Sequence, residues 1–183
     1  RDGAAPVALA EWLVGQGFTA DLVVLESLGG PNERIRQTRA ETFDLADIAA
    51  PVAVAISVTS GKGFSRASGL PDDLFANDGQ ITKRPVRALT LSALAPRAGE
   101  LLWDIGSGSG SISVEWCLAG GQALAYELRP DRAANIRENA ARFGVEHRLQ
   151  VIEGPAAKTL AEHPAPDAVF IGGTNVHQQR ILA

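Results

Sequence analysis

Residues 101–116, LLWDIGSGSGSISVEW, limit the folds open to this chain more than any other stretch. An apolar run reaches Asp104 and Ile105, then breaks into Gly106, Gly108 and Gly110, two residues apart. That is a strand driven through a tight turn into a helix. The pattern around it is regular: strands at 101–105, 123–127, 149–152 and 167–171 alternate with helices at 111–119, 130–143 and near 156–162. A helix over 83–95, capped by Thr82 and with Val86, Leu89, Thr90, Ala93 and Leu94 on its apolar face, precedes them. Strands separated by helices of this length make βαβ crossovers, and so a parallel, doubly wound α/β sheet. Four strands are too few for a finished sheet of that kind.

The glycine turn can be read by elimination. A P-loop needs Lys and Ser/Thr after its last glycine, but Gly110 is followed by Ser111 and Ile112. A nucleophile elbow needs Ser at the centre of its five residues, where Gly108 stands. A dinucleotide fingerprint needs Gly or Ala at Ser111. What remains is Gly-x-Gly-x-Gly, whose glycines permit positive φ and close approach of a ligand to backbone. Nothing basic lines the turn, so the ligand need not offer a phosphate. Glu127 ends the next strand, where a carboxylate can accept both hydroxyls of a ribose. Together these features describe a nucleoside pocket that suits S-adenosylmethionine better than NAD. Gly154 and Ala156, after the third strand, are small enough to flank an adenine. The plainer reading, a tight turn beside a solvated carboxylate, accounts for either feature alone but poorly for both with Asp104 in front.

The first part of the chain is different. Residues 6–17 read as a helix with Leu9, Trp12 and Leu13 on one face, Pro6 in the first turn and Gly15 or Gly17 as the stop. A short strand follows at Leu22 to Leu25, an exposed helix start at Asn32 to Arg39, and another strand at 51–58. Residues 59–80 carry many turn formers and no period, giving the division 1–58, a linker and arm over 59–80, and a cofactor-binding domain over 81–183. Apolar content of 45% with 21% charge fits a soluble globular chain, and a net charge of -4 argues against general nucleic-acid binding. One cysteine excludes an internal disulfide framework and suits a reducing compartment, and three scattered histidines offer no zinc spacing, so no metal is expected. No apolar run reaches the ~18 residues of a membrane span. The chain begins at Arg1 and holds no Met, so it is expected to be a fragment.

The stretch LPDDLFANDGQITKRPVRALTLSALAPRAGELLWDIGSGSGSISVEW closely resembles the methyltransferase domain of the precorrin-6Y C5,15-methyltransferases (decarboxylating), a family of cobalamin biosynthesis. The likeness continues through YELRPDRAANIRENAARFGV, VIEGPAAKTL and DAVFIGG, roughly residues 69–173. The arm DGQITK is its specific part, because generic class I methyltransferases lack it. ESLGGPNERIRQTRAETF, 26–43, resembles the end of the tetrapyrrole methylase domain that precedes it in the fused enzyme. The resemblance implies a class I fold lacking its last strands, preceded by part of a tetrapyrrole methylase domain. It implies S-adenosylmethionine held by Gly106, Ser107, Gly108, Ser109 and Gly110, with Glu127 on the ribose, Ala156 by the adenine and Thr82 closing from the arm. It further implies C15 methylation of precorrin-6Y with loss of the C12 acetate carboxyl, C5 methylation by the partner domain, and a cytoplasmic homo-oligomer, a tetramer by family pattern.

The first 60 or so residues lack the glycine-rich loops of a tetrapyrrole methylase domain, so C5 activity should be absent from this chain. After Gly173 the family continues with more glycine, whereas TNVHQQRILA stands here. A precorrin carries many carboxylates, which makes Lys83, Arg84 and Arg87 candidates for its mouth, against the alternative of a solvated helix face. His147, His163 and His177 read as surface residues, and Cys117, Trp103 and Trp116 as core. Three other classes remain open: a NAD oxidoreductase, a non-catalytic scaffold, and a protein or RNA methyltransferase, though FIGG lacks the motif of the last.

Overall fold

The computed structural model describes residues 2–61 and 63–172, so His177 and the departure after Gly173 lie outside the described residues. The chain forms two compact units, Arg1–Phe64 and Ser65–Ala183. In the first, helix α1 (Ala5–Gly15) packs on an antiparallel sheet of order β2-β1-β3, with β1 Thr19–Glu26, β2 Arg34–Arg39 and β3 Val52–Ser60. Alternation along β1 sends Ala20, Leu22 and Val24 inward, and Ala20 and Leu22 pack against Ala10 and Leu13 of the helix. Trp12, expected beside Leu13, is instead 57% exposed, because the inward stripe is Pro6, Ala10 and Leu13. The charged stretch from Asn32 is not a helix start but leads into strand β2. Its Arg34 and Arg36 reach across to Glu26, a fully buried carboxylate that also accepts the Ala49 N–H at 2.7 Å. A buried anion needs such partners, and that demand, invisible locally, makes the segment extended.

The second unit holds α2 (Arg84–Leu94), β4 (Leu101–Ile105), α3 (Ser111–Leu118), β5 (Gln122–Glu127), α4 (Pro130–Arg142), β6 (Leu149–Glu153), α5 (Ala156–Thr159) and β7 (Ala168–Ile171). The four strands are parallel, in the order β6-β5-β4-β7. The chain winds outward from β4 through β5 to β6 and then returns to the far side of β4. That reversal opens a crevice at the carboxyl ends of β4 and β7, where ligands bind in such sheets. Both faces are apolar. One buries Leu102, Ala123 and Ala125 under α3, α4 and α2, and the other gathers Leu124, Tyr126 and Trp103 with Leu160. Helix α3 is buried on nearly every side, Trp116 and Cys117 included, and burial pushes the Cys117 thiol up to about 12. His147 is exposed, whereas His163 is half-buried with its ring edge against Tyr126. No helix among the described residues is long and apolar enough to cross a membrane.

The stretch 65–80, expected to be linker and arm, packs within this second unit: Leu70 and Phe75 are core residues, and Phe75 stacks on Phe143 at 4.8 Å. Helix α2 differs from expectation in two ways. Thr82 does not cap it, since Lys83 is the N-cap residue and no side chain closes that end. Its inward residues are Arg87 and Leu91, leaving Val86 and Leu89 exposed.

Candidate functional site

The turn after β4 is fixed by backbone first. Gly106 and Ser107 both donate to the Tyr126 carbonyl, at 2.9 and 3.1 Å, and Gly110 donates to Ser107 at 2.9 Å. Gly106, Gly108 and Gly110 all have positive φ (+72°, +60° and +71°), a region where a side chain is costly. Space separates the roles of the last two. A Cβ on Gly110 would meet Ile136 Cγ2 at 2.8 Å, so this glycine lets α4 close onto the turn. A Cβ on Gly108 would have only the Gln80 carbonyl oxygen nearby, at 3.7 Å, so this one lies open to a ligand. Ser109 and Gly110 are buried, Ser107 and Gly108 half-buried, and Gly106 exposed.

Two carboxylates flank the turn. Asp104 is buried beneath it, and its Oδ2 accepts the Ser107 and Ser113 hydroxyls at 2.7 and 2.6 Å. Its Oδ1 is buried without a protein partner, and burial holds the carboxyl above the usual range. Glu127, 5% exposed at the end of β5, accepts the Gly108 N–H at 2.8 Å on Oε2 and the Arg129 N–H at 3.0 Å on Oε1. The acidic strand end and the open glycine therefore meet directly. Ala156 begins α5, half-buried against the Tyr126 face, and Gly154 donates to the Glu127 carbonyl at 2.9 Å.

The arm crosses above. Asp78 accepts Arg132 Nε at 2.8 Å and the Gln80 N–H at 3.1 Å, and Gln80 lies over Gly108. Thr82 follows, half-buried, its carbonyl taken by Arg87 Nη1. Lys83 and Arg84 are exposed where the arm enters α2. Arg87, expected with them at a cavity mouth, is fully buried instead. It bonds Glu115 at 2.7 Å, pairs with Asp72 at 3.0 Å, donates to the Leu70 carbonyl and lies over the Phe75 ring. Its charge is spent within the protein.

The sequence reading missed Glu115, Asn139 and Gln80. The first two carried a usable signal, a polar residue at an inward position of a helix. Gln80 had none, for its role is a backbone carbonyl placed by the arm. Among the described residues no group of three His, Cys, Asp or Glu side chains could hold a metal.

The sequence model of the precorrin methyltransferase domain matches residues 73–183. A precorrin-6Y C(5,15)-methyltransferase [decarboxylating] of Sinorhizobium sp is 54% identical over 178 residues, 94% of this chain and 43% of the relative. The chain thus spans less than half of that protein. A probable cobalt-precorrin-6B C(15)-methyltransferase (decarboxylating) of Pyrobaculum calidifontis is 39% identical over 119 residues, 62% of this chain and 61% of the relative. Among solved structures, the C-terminal domain of precorrin-6Y C5,15-methyltransferase from Rhodobacter capsulatus superposes with a TM-score of 0.61 at 55% identity, covering 64% of this chain and 65% of that one. The parallel sheet, the glycine turn and the arm all fall within the matched residues, and the chain belongs to the precorrin methyltransferase domain family.

Proposed function

We propose that the second unit binds S-adenosylmethionine at the glycine turn and methylates a precorrin-6Y-type tetrapyrrole at C15, with decarboxylation of the C12 acetate. The observation that carries this reading is the buried Glu127 carboxylate lying 2.8 Å from the N–H of the open Gly108. The unpartnered Oδ1 of Asp104 fits the same ligand, since it leaves a buried acceptor beside the turn. When bound, S-adenosylmethionine supplies a methyl group on a sulfonium, open to in-line displacement.

The chain's own work is then positioning, which dominates such a transfer. Glu127 accepts the ribose hydroxyls. Asp104 holds Ser107 and Ser113 and so fixes the turn's path. Gly106, Ser107 and Gly108 offer backbone to the methionine and ribose, Ser109 and Gly110 support that surface from within, and Ala156 flanks the adenine. The arm, through Thr82, excludes water, and Lys83 and Arg84 meet the substrate's carboxylates. The first unit we read as the end of a tetrapyrrole methylase domain, whose full form carries the C5 step. Family resemblance supports a cytoplasmic homo-oligomer.

Calorimetry of S-adenosylhomocysteine with the full chain tests the reading. Glu127→Ala should weaken binding about ten- to a hundredfold, the loss of charge-assisted bonds worth roughly 1.5–3 kcal/mol. An unchanged dissociation constant would remove the ribose from this strand end.

A further inference from the structure

Helix α4 carries Arg132, Ile136 and Asn139 four and then three residues apart, one stripe along its surface. Each holds a part of the site. Arg132 Nε donates to Asp78 of the arm at 2.8 Å. Ile136 packs against Gly110 so closely that no Cβ fits between them. Asn139 is completely buried and does both jobs at once. Its Oδ1 accepts the Ala76 N–H at 2.7 Å, and its Nδ2 donates to the Ala76 carbonyl at 2.9 Å and to the Ser109 carbonyl at 2.8 Å.

Ala76 belongs to the arm and Ser109 to the glycine turn, so one amide ties the two together. A carboxylate could accept from Ala76 but could make neither donation, and a hydroxyl could make only one of the two. From Ala76 the arm runs through Asn77, which accepts the Gly79 N–H at 2.9 Å, and Asp78 to Gln80, whose carbonyl lies over Gly108. The height of that carbonyl above Gly108 is therefore set by Asn139 at one end and Arg132 at the other.

We propose that Asn139 is a positioning residue for the cofactor pocket, holding the arm and the glycine turn at the separation that a nucleoside-bearing ligand requires. This rests on the cofactor reading above. Asn139 touches no ligand itself and acts through Ser109 on Gly108, and through Ala76 on Gln80. Its whole hydrogen-bonding capacity used in this structure is spent on those two backbone segments.

The test uses the full chain carrying Asn139→Ala, Asn139→Asp, which keeps the volume but withdraws at least one of the two donations, and Val145→Ala. Val145, beyond the end of α4, is buried in the same apolar core, and its side chain forms no hydrogen bond, so its truncation costs stability without removing a tie between arm and turn. S-adenosylhomocysteine affinity is read by calorimetry at a temperature where all variants are folded. Amide exchange is read at Gln80 and Gly110, whose N–H groups are both hydrogen-bonded.

The expected result is a dissociation constant raised about tenfold or more in both Asn139 variants, since Asn139→Ala removes all three side-chain hydrogen bonds and Asn139→Asp at least one donation. Exchange should be faster at Gln80 and Gly110, and both readouts should be unchanged in Val145→Ala. If Asn139→Ala lowers the melting temperature as Val145→Ala does and keeps wild-type affinity and exchange, Asn139 is only a satisfied core amide and the proposal falls. If wild type does not bind S-adenosylhomocysteine, the cofactor reading falls. Exchange in the free protein still decides between the two roles, since a tie that does not hold Gln80 and Gly110 positions nothing. Should Asn139→Ala not fold, Asn139→Asp carries the same comparison.

Discussion

Removing the Glu115 carboxylate should unfold the second unit more readily than any single truncation at its surface. Glu115 is buried on α3, where Oε1 takes Arg87 Nε at 2.7 Å and the Leu70 N–H at 2.9 Å, and Oε2 takes the Gly69 N–H at 2.6 Å. In Glu115→Ala the Arg87 guanidinium, fully buried, keeps only Asp72, backbone carbonyls and the Phe75 ring. Breaking a buried pair from one side costs roughly 3–5 kcal/mol. Asp72, partly exposed, softens this towards the lower figure, while the Gly69 and Leu70 N–H groups of the strap over residues 69–76, left without acceptors at about 1 kcal/mol each, push it back. We expect about 4 kcal/mol, a fall in urea midpoint of about 2 M at a slope of roughly 2 kcal/mol per molar.

Tryptophan fluorescence in a Trp12→Phe background reports the second unit alone, because Trp103 and Trp116 then remain. The double variant Arg87→Met with Glu115→Leu should recover much of the loss, since no charge is left stranded. A single variant within about 1 kcal/mol of wild type, or a double variant worse than the single, would refute the electrostatic account.

Gly108→Ala and Gly110→Ala should part company. Both pay about 1 kcal/mol for a side chain at positive φ, but Gly110→Ala adds roughly 1–3 kcal/mol of overpacking against Ile136, whereas Gly108→Ala chiefly lowers S-adenosylhomocysteine affinity. Denaturant melts paired with calorimetry separate them. Asp104, its carboxyl raised by burial, favours the folded state in its protonated form, so its contribution is present below the ordinary value of 3.8 and fades as pH rises through the elevated one. Asp104→Asn should therefore gain on wild type as pH rises above the ordinary carboxylate value, and a stability difference flat with pH would contradict this. Replacing Lys83 and Arg84 with Gln should raise the apparent Michaelis constant for the tetrapyrrole and flatten its salt dependence, with cofactor affinity unchanged. Equal constants and salt slopes would make both residues a solvated helix face.

The alternation of the second unit could be read because its period switches cleanly between strand and helix, and the observed elements begin and end within a residue or two of expectation. The glycine turn and Glu127 were equally plain, for their residue types are unusual at a strand end. Arg87 was misread for a physical reason. A guanidinium near two other cations looks solvated until the fold supplies Glu115 from 28 positions away. Arg34 and Arg36 posed the same problem, since their partner Glu26 declares itself only when two strands pair. The face of α2 failed likewise, because a buried arginine replaces the apolar stripe that periodicity looks for.

The strap through Leu70 and Phe75 decides where this unit can be cut. Those side chains are 2% and 3% exposed, and Glu115, Arg87 and Asn139 all spend hydrogen bonds on strap backbone. A gene trimmed to residue 81 would still encode all four described strands and yet strip Glu115, Arg87 and Asn139 of the partners that residues 69–76 supply. The family match begins at residue 73, but Gly69 and Leu70 already hold the carboxylate of α3. The portable cassette, whether moved by recombination or at the bench, starts near Ser65, and a fusion partner joined any later must supply those contacts anew.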